Sequence, residues 1–103
     1  MRTETTRESE LQYAPGDPVL VTVVRRDQRL SVNDGGAALQ KAGRPCGWRV
    51  VADQLERSLD VNVTGRGVVW LPVMAVGPGL EPTADRIAAA SLALYQDVLE
   101  LEH

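Results

Sequence analysis

Apolar positions along this chain follow a strand-like pattern in four places and a helix-like pattern in three. Val19 to Arg25, VLVTVVR, is β-branched and almost continuous, which predicts a central strand covered on both faces. In the stretch from Arg29 to Asn33, Leu30 and Val32 alternate with Arg29, Ser31 and Asn33, the period of a half-buried strand. Arg26-Asp27-Gln28 joins the two as a tight antiparallel hairpin. Asn33-Asp34-Gly35-Gly36 then turns the chain into a short helix. Asn33 or Asp34 supplies a capping oxygen, and the glycines allow the change of direction without a Cβ penalty. Ala37, Ala38, Leu39 and Ala42 form the apolar stripe of that helix, and Gly43 with Pro45 stops it.

Trp48 to Asp60 predicts an amphipathic helix. Trp48, Val51, Ala52, Leu55 and Leu59 lie on one side, and Arg49, Asp53, Glu56 and Arg57 on the other. Asp53 and Arg57 have the spacing of a helical ion pair. Val61–Thr64 and Gly67–Val73 predict a second hairpin around Gly65-Arg66. Pro72 lacks a backbone N–H, which makes its strand an edge at that end. Trp70 is expected in the core, the alternative being a contact residue at an exposed edge. The last helix opens at Glu81-Pro82-Thr83 and runs to about Glu100. Ile87, Ser91, Leu94 and Val98 make one stripe on it, and Ala88, Leu92, Tyr95 and Leu99 a second. The two together are wider than packing on one side of a small sheet requires, so the excess either covers the sheet more fully or meets a partner.

Residues 1–14 have no steady period. The expectation is therefore a flexible N-terminal arm over 1–17, pinned near Leu11 and Tyr13 and bounded by Pro15, Gly16 and Pro18. The fold class expected for 18–100 is a single α+β domain in the order β-β-α-α-β-β-α. Its two β-hairpins form one antiparallel sheet, with three helices packed on one face. Leu101-Glu102-His103 reads as the remnant of a purification tag.

Composition narrows the classes. The 103 residues are 44% hydrophobic, enough for a core and too many for a disordered chain. Phe is absent, so Val, Leu and Ala must fill that core. No apolar run approaches the ~18 residues of a membrane span, and the polar start lacks the apolar middle of a signal peptide. The lone Cys46 excludes an internal disulfide and is expected to be buried or half-buried. Together these features predict a cytoplasmic protein with no membrane partner. One Lys against ten Arg fits a GC-rich bacterial source.

Charge is uneven. Residues 1–18 carry net −2, residues 19–80 net +3, and residues 81–100 net −3. The mildly basic middle is far from the strongly basic stripe of a dedicated nucleic-acid binder. Arg25, Arg26 and Arg29 cluster at the tip of the first hairpin. They have the chemistry to grip a phosphate or an acidic partner, although solvated charges that blunt a sheet edge are the plainer reading. Asp34, Gly35 and Gly36 make a second candidate, since free N–H groups at a helix start can hold an anion. The three spaced glycines of a dinucleotide site and the Lys-Ser/Thr of a P-loop are both missing, and Asp34 would repel an anion.

The stretch Leu30-Ser31-Val32-Asn33-Asp34-Gly35-Gly36, with Leu39 and Gly43 after it, resembles a small bacterial and phage domain of unknown function. That domain is recognised by a strand leading into a Thr/Ser-Asp-Asp-Gly turn and a helix ending in Gly. Asn33 stands where its first Asp is typical, and Val32 where its Thr is. The order of elements over about residues 18–100 is similar too. The resemblance implies the fold and a bacterial setting, and carries no activity with it.

Catalysis is argued against. With His103 assigned to the tag there is no imidazole for general-base work, no His/Cys cluster for a metal and no nucleophile-elbow serine. No cofactor is expected. The remaining classes are two. The first is an interaction or regulatory module that forms a homodimer or meets another protein, with Trp70, Leu92, Tyr95 and Leu99 at the interface. The second is anionic-ligand or nucleic-acid binding, should the arginines at 25, 26, 29, 44, 49 and 66 share a face. The shortage of aromatic side chains counts against single-strand binding in that class.

Overall fold

The computed structural model describes residues 1–101; the tag reading of Glu102 and His103 lies outside the described residues. The chain is α+β. Its elements are β1 (Arg2–Ala14), β2 (Asp17–Arg26), β3 (Arg29–Asn33), α1 (Ala37–Ala42), α2 (Trp48–Ser58), β4 (Asn62–Val63), β5 (Val69–Val73) and α3 (Leu80–Glu100). The five strands form one antiparallel sheet in the order β1-β2-β3-β5-β4. The helices share one face of it. α3 crosses β1, β2, β3 and β5 and also packs on α1 and α2.

The expected flexible arm is instead β1, the longest strand, which makes the order β-β-β-α-α-β-β-α. It pairs with β2 from Arg2↔Arg26 to Glu8↔Leu20, and the register shifts between Glu8 and Gln12. From Arg7 onward, half-buried or buried positions (Arg7, Ser9, Leu11, Tyr13) alternate with exposed ones. Two of those four inward residues are polar, so the period of two is invisible in hydropathy. Arg7 is accommodated on the inward side by reaching Glu81 on α3 at 2.8 Å.

The two hairpins stand where periodicity places them. β2 and β3 pair through a two-residue turn at Asp27-Gln28, and β4 and β5 pair around Gly65-Arg66. They join through β3 and β5, with Val32 opposite Leu71 and Asn33 opposite Trp70. β4 ends its pairing at Asn62, opposite Trp70, so β5 has a single neighbour where Pro72 stands. The missing proline N–H is tolerated there.

The core lies between sheet and helices. Val19, Val21, Val32 and Val69 from the strands meet Leu39, Ile87, Leu94 and Val98 from the helices, all at most 2% exposed. Both stripes of α3 are used, because the helix packs between the sheet and two other helices. Leu92, Tyr95 and Leu99 pack against this core. Tyr95 meets Tyr13 edge-on, with ring centroids 5.1 Å apart. All three are half-buried, so each packs on the core with part of its side chain and keeps the rest at the surface.

Smaller expectations also change. Cys46 is exposed. Arg49, not Arg57, pairs with Asp53, at 2.9 Å, and it also holds Glu56 and the carbonyls of Val63 and Thr64. The residue before α1 is Gly36, in the left-handed region, with no side-chain cap.

Candidate functional site

The turn between β3 and α1 is built around a buried carboxylate. Asp34 is 4% exposed. Its Oδ1 accepts from Gly36 N at 2.8 Å and from Val69 N at 3.0 Å, and its own N–H donates to Val69 O at 3.0 Å. These bonds continue the β3–β5 ladder around the corner. Oδ2 accepts from Ser91 Oγ at 2.7 Å, and Ser91 Oγ lies 2.7 Å from the Tyr13 hydroxyl. An ionised carboxylate only accepts, so the serine proton goes to Asp34 and the tyrosine proton to Ser91.

Burial pushes the Asp34 carboxyl above its ordinary 3.8, opposed by the bonds from Ser91 and from the backbone of Gly36, Val69 and Ala38. Burial likewise pushes the Tyr13 hydroxyl up to about 12, against the Ser91 bond, and the Asp34 charge adds to the rise. Gly35 N donates to Asn33 Oδ1 at 2.8 Å. The N–H groups that made Asp34, Gly35 and Gly36 a candidate anion site are thus committed to this chain's own oxygens. The motif is a structural junction of β3, β5, α1, α3 and β1.

The side chains that do converge lie on the other, helix-free face. Strand parity puts Val24 and Arg26 of β2, Ser31 and Asn33 of β3, and Trp70 and Pro72 of β5 there, alternating with the core positions Val23, Val32, Val69 and Leu71. They line an open groove of about 800 Å³. Its floor is apolar, formed by buried Val24 and half-buried Val68 and Trp70. Its rim carries Arg2, Arg26, Arg29 and Arg66, and none of the lining residues is acidic.

Three of these arginines form a row. Arg2 is the partner of Arg26 on one side, and Arg29 is its partner on the other. Like charges placed directly opposite across antiparallel strands destabilise the pair. Arg26, Arg29 and Arg66 make no ion pair among the described residues, and Arg2 meets only the exposed Glu4, at 3.4 Å. Arg66 sits on the β4–β5 turn. That turn is fixed by Thr64 Oγ1, which accepts from the backbone of Arg66 and Val68, and by Arg44, which donates to Arg66 O at 2.9 Å.

Of the arginines named from sequence, Arg26, Arg29 and Arg66 therefore meet in one place. Arg25 has the opposite strand parity and lies outside the groove, while Arg44 and Arg49 hold backbone carbonyls. Trp70, expected in the core, is instead part of the groove floor. Arg2 escapes sequence reasoning because its segment reads as an arm. The signal available for the floor is the set Val68, Trp70 and Pro72, out of phase with Val69, Leu71 and Val73.

The groove offers cations, an indole, the hydroxyls of Ser31 and Thr64 and the amide of Asn33, a set suited to holding a ligand. Among the described residues no group of three or more His, Cys, Asp or Glu side chains is placed to hold a metal ion. No helix among them is long and apolar enough to cross a membrane. Comparison with protein families, with curated proteins and with solved structures gives no match for this chain.

Proposed function

We propose that this protein is a non-catalytic binding module whose ligand is anionic and lies on the helix-free face of the sheet. The observation that carries this reading is the row Arg2–Arg26–Arg29, joined by Arg66 around an apolar floor with no acid among the lining residues. Such a row weakens the sheet it sits on, and a bound anion relieves that repulsion. The composition supports a bacterial cytoplasm as its setting, as does the likeness of Leu30–Gly43 to the bacterial and phage domain. The test is titration with inorganic polyphosphate followed by backbone amide shifts. Shifts confined to the groove residues around Arg2, Arg26, Arg29, Arg66 and Trp70, lost in Arg26→Glu, are expected. Shifts elsewhere, or none at low salt, would overturn the reading.

Self-association is the second reading, and one observation favours it: β1 is an edge strand with β2 as its sole neighbour among the described residues. An exposed edge is a template for pairing with a second copy. In this reading the homodimer is joined through β1 and not through Leu92, Tyr95 and Leu99. A mass that stays monomeric across a concentration series would exclude it.

A further inference from the structure

We infer that the anion held on the helix-free face is a single strand of nucleic acid, with one base stacked on Trp70 and its phosphates on the arginine row; this rests on the anion-binding reading above. An acidic peptide would satisfy the arginines, but its carboxylate side chains have no flat π-face to stack on the indole. A base does, since every base presents a flat π-face and stacks on an aromatic ring whatever its sequence.

Trp70 is half-buried, with Asn33 directly opposite it on β3. The Asn33 Oδ1 is taken by Gly35 N, which leaves its amide N–H groups for the edge of a base lying on the ring. Arg2, Arg26 and Arg29 stand on three adjacent strands. At roughly 4.8 Å between strands they span about 10 Å, the reach of more than one phosphate. Guanidinium groups match phosphate geometry in bidentate fashion. The ligand must be single-stranded, because a base paired and stacked inside a duplex has no open face for the half-buried indole.

The test uses the full chain in a Trp48→Phe background, so that Trp70 alone reports stacking by fluorescence, while isothermal calorimetry reads the affinity of every probe and variant. Three probes of equal length are titrated: an oligodeoxythymidine strand, an abasic strand with the same phosphates, and polyglutamate. The thymidine strand should quench Trp70 and bind roughly ten-fold or more tightly than the abasic strand. Its affinity should fall with salt at a log–log slope of about −3, the value for four neutralised phosphates on a single strand. Trp70→Leu should bind both strands alike, and the exposed Arg29→Glu should weaken both and flatten the slope. Should Trp70→Leu fail to fold, the thymidine-to-abasic ratio on the parent chain decides alone. Abasic strand or polyglutamate binding as tightly as thymidine would overturn the nucleic-acid inference and leave the anion reading standing. No binding of any probe at low salt would overturn both.

Discussion

Ser91 Oγ donates to Asp34 Oδ2 across 2.7 Å, tying the middle of α3 to the β3–α1 turn 57 residues earlier. Ser91 is fully buried and also receives the Tyr13 hydroxyl from β1. Removing its oxygen strands two buried polar groups at once. Ser91→Ala should therefore lose about 2–4 kcal/mol of stability, and Tyr13→Phe, which leaves the Ser91–Asp34 bond in place, only about 1 kcal/mol. Urea denaturation of the two variants against the parent checks the order; equal losses would mean that the chain of bonds does not act as drawn.

The same carboxylate sets a pH dependence. Asp34 is raised in the folded protein above its ordinary 3.8, with burial the largest cause. Its contribution is full below that ordinary value and is lost as pH rises through the folded value, because ionisation is then harder in the folded chain than in the unfolded one. Asp34→Asn keeps an oxygen for Gly36 and Val69 and removes the titration. The stability of the parent relative to Asp34→Asn should be greatest in acid and decline as pH rises, over a denaturation series from about pH 3 to about pH 7. A gap that widens with pH would show that the hydrogen bonds outweigh burial.

Gly67 is a position where the fold leaves no room. Its φ is +86°, and a Cβ there would run into Leu39 Cδ2 in the core. Strain and overpacking act together, so Gly67→Ala should cost about 1–3 kcal/mol by thermal or urea unfolding. Gly65, on the same turn, has nothing within 4 Å of the place a methyl group would take, and its φ is ordinary, so Gly65→Ala should be near neutral.

Arg29 opposes Arg26 in register, which makes it a place where binding and stability conflict. Arg29→Glu converts a repulsive cross-strand pair into an attractive one. It should stabilise the fold by about 0.5 kcal/mol, raising Tm by roughly 2–4 °C. The same change should weaken polyphosphate binding. Calorimetry and titration on one sample check both halves, and a drop in both would mean that Arg29 supports the sheet and not a ligand.

Tyr95 distinguishes the two accounts of α3. Packed edge-on against Tyr13, it should lose about 2 kcal/mol on change to Ala, with no effect on the mass in solution. Dissociation of an assembly with stability unchanged would restore the helix as an interface.

Local pattern determined much of this protein. The hairpin from Val19 to Asn33, the helix Ala37–Ala42 with its stop at Gly43, the amphipathic α2 and the long α3 are legible because each depends on residues within a few positions of one another. Period, turn chemistry and helix stops are short-range physics. Even the edge character of β5 at Pro72 follows from one missing N–H.

Tertiary structure decided what depends on partners far along the chain. β1 has no hydrophobic period of its own; it becomes a strand because β2 offers a ladder and because Arg7 and Tyr13 find Glu81 and Ser91 on α3. Asp34 reads as a helix cap until Val69 and Ser91 arrive as its partners. The width of α3 signals either burial or a partner, and the presence of α1 and α2 beside it accounts for part of that width. The candidate site is decided the same way. Arg2, Arg26, Arg29 and Arg66 lie in three separate stretches of sequence, and register alone sets whether they and Trp70 share a face, since a slip of one residue would send each to the opposite side.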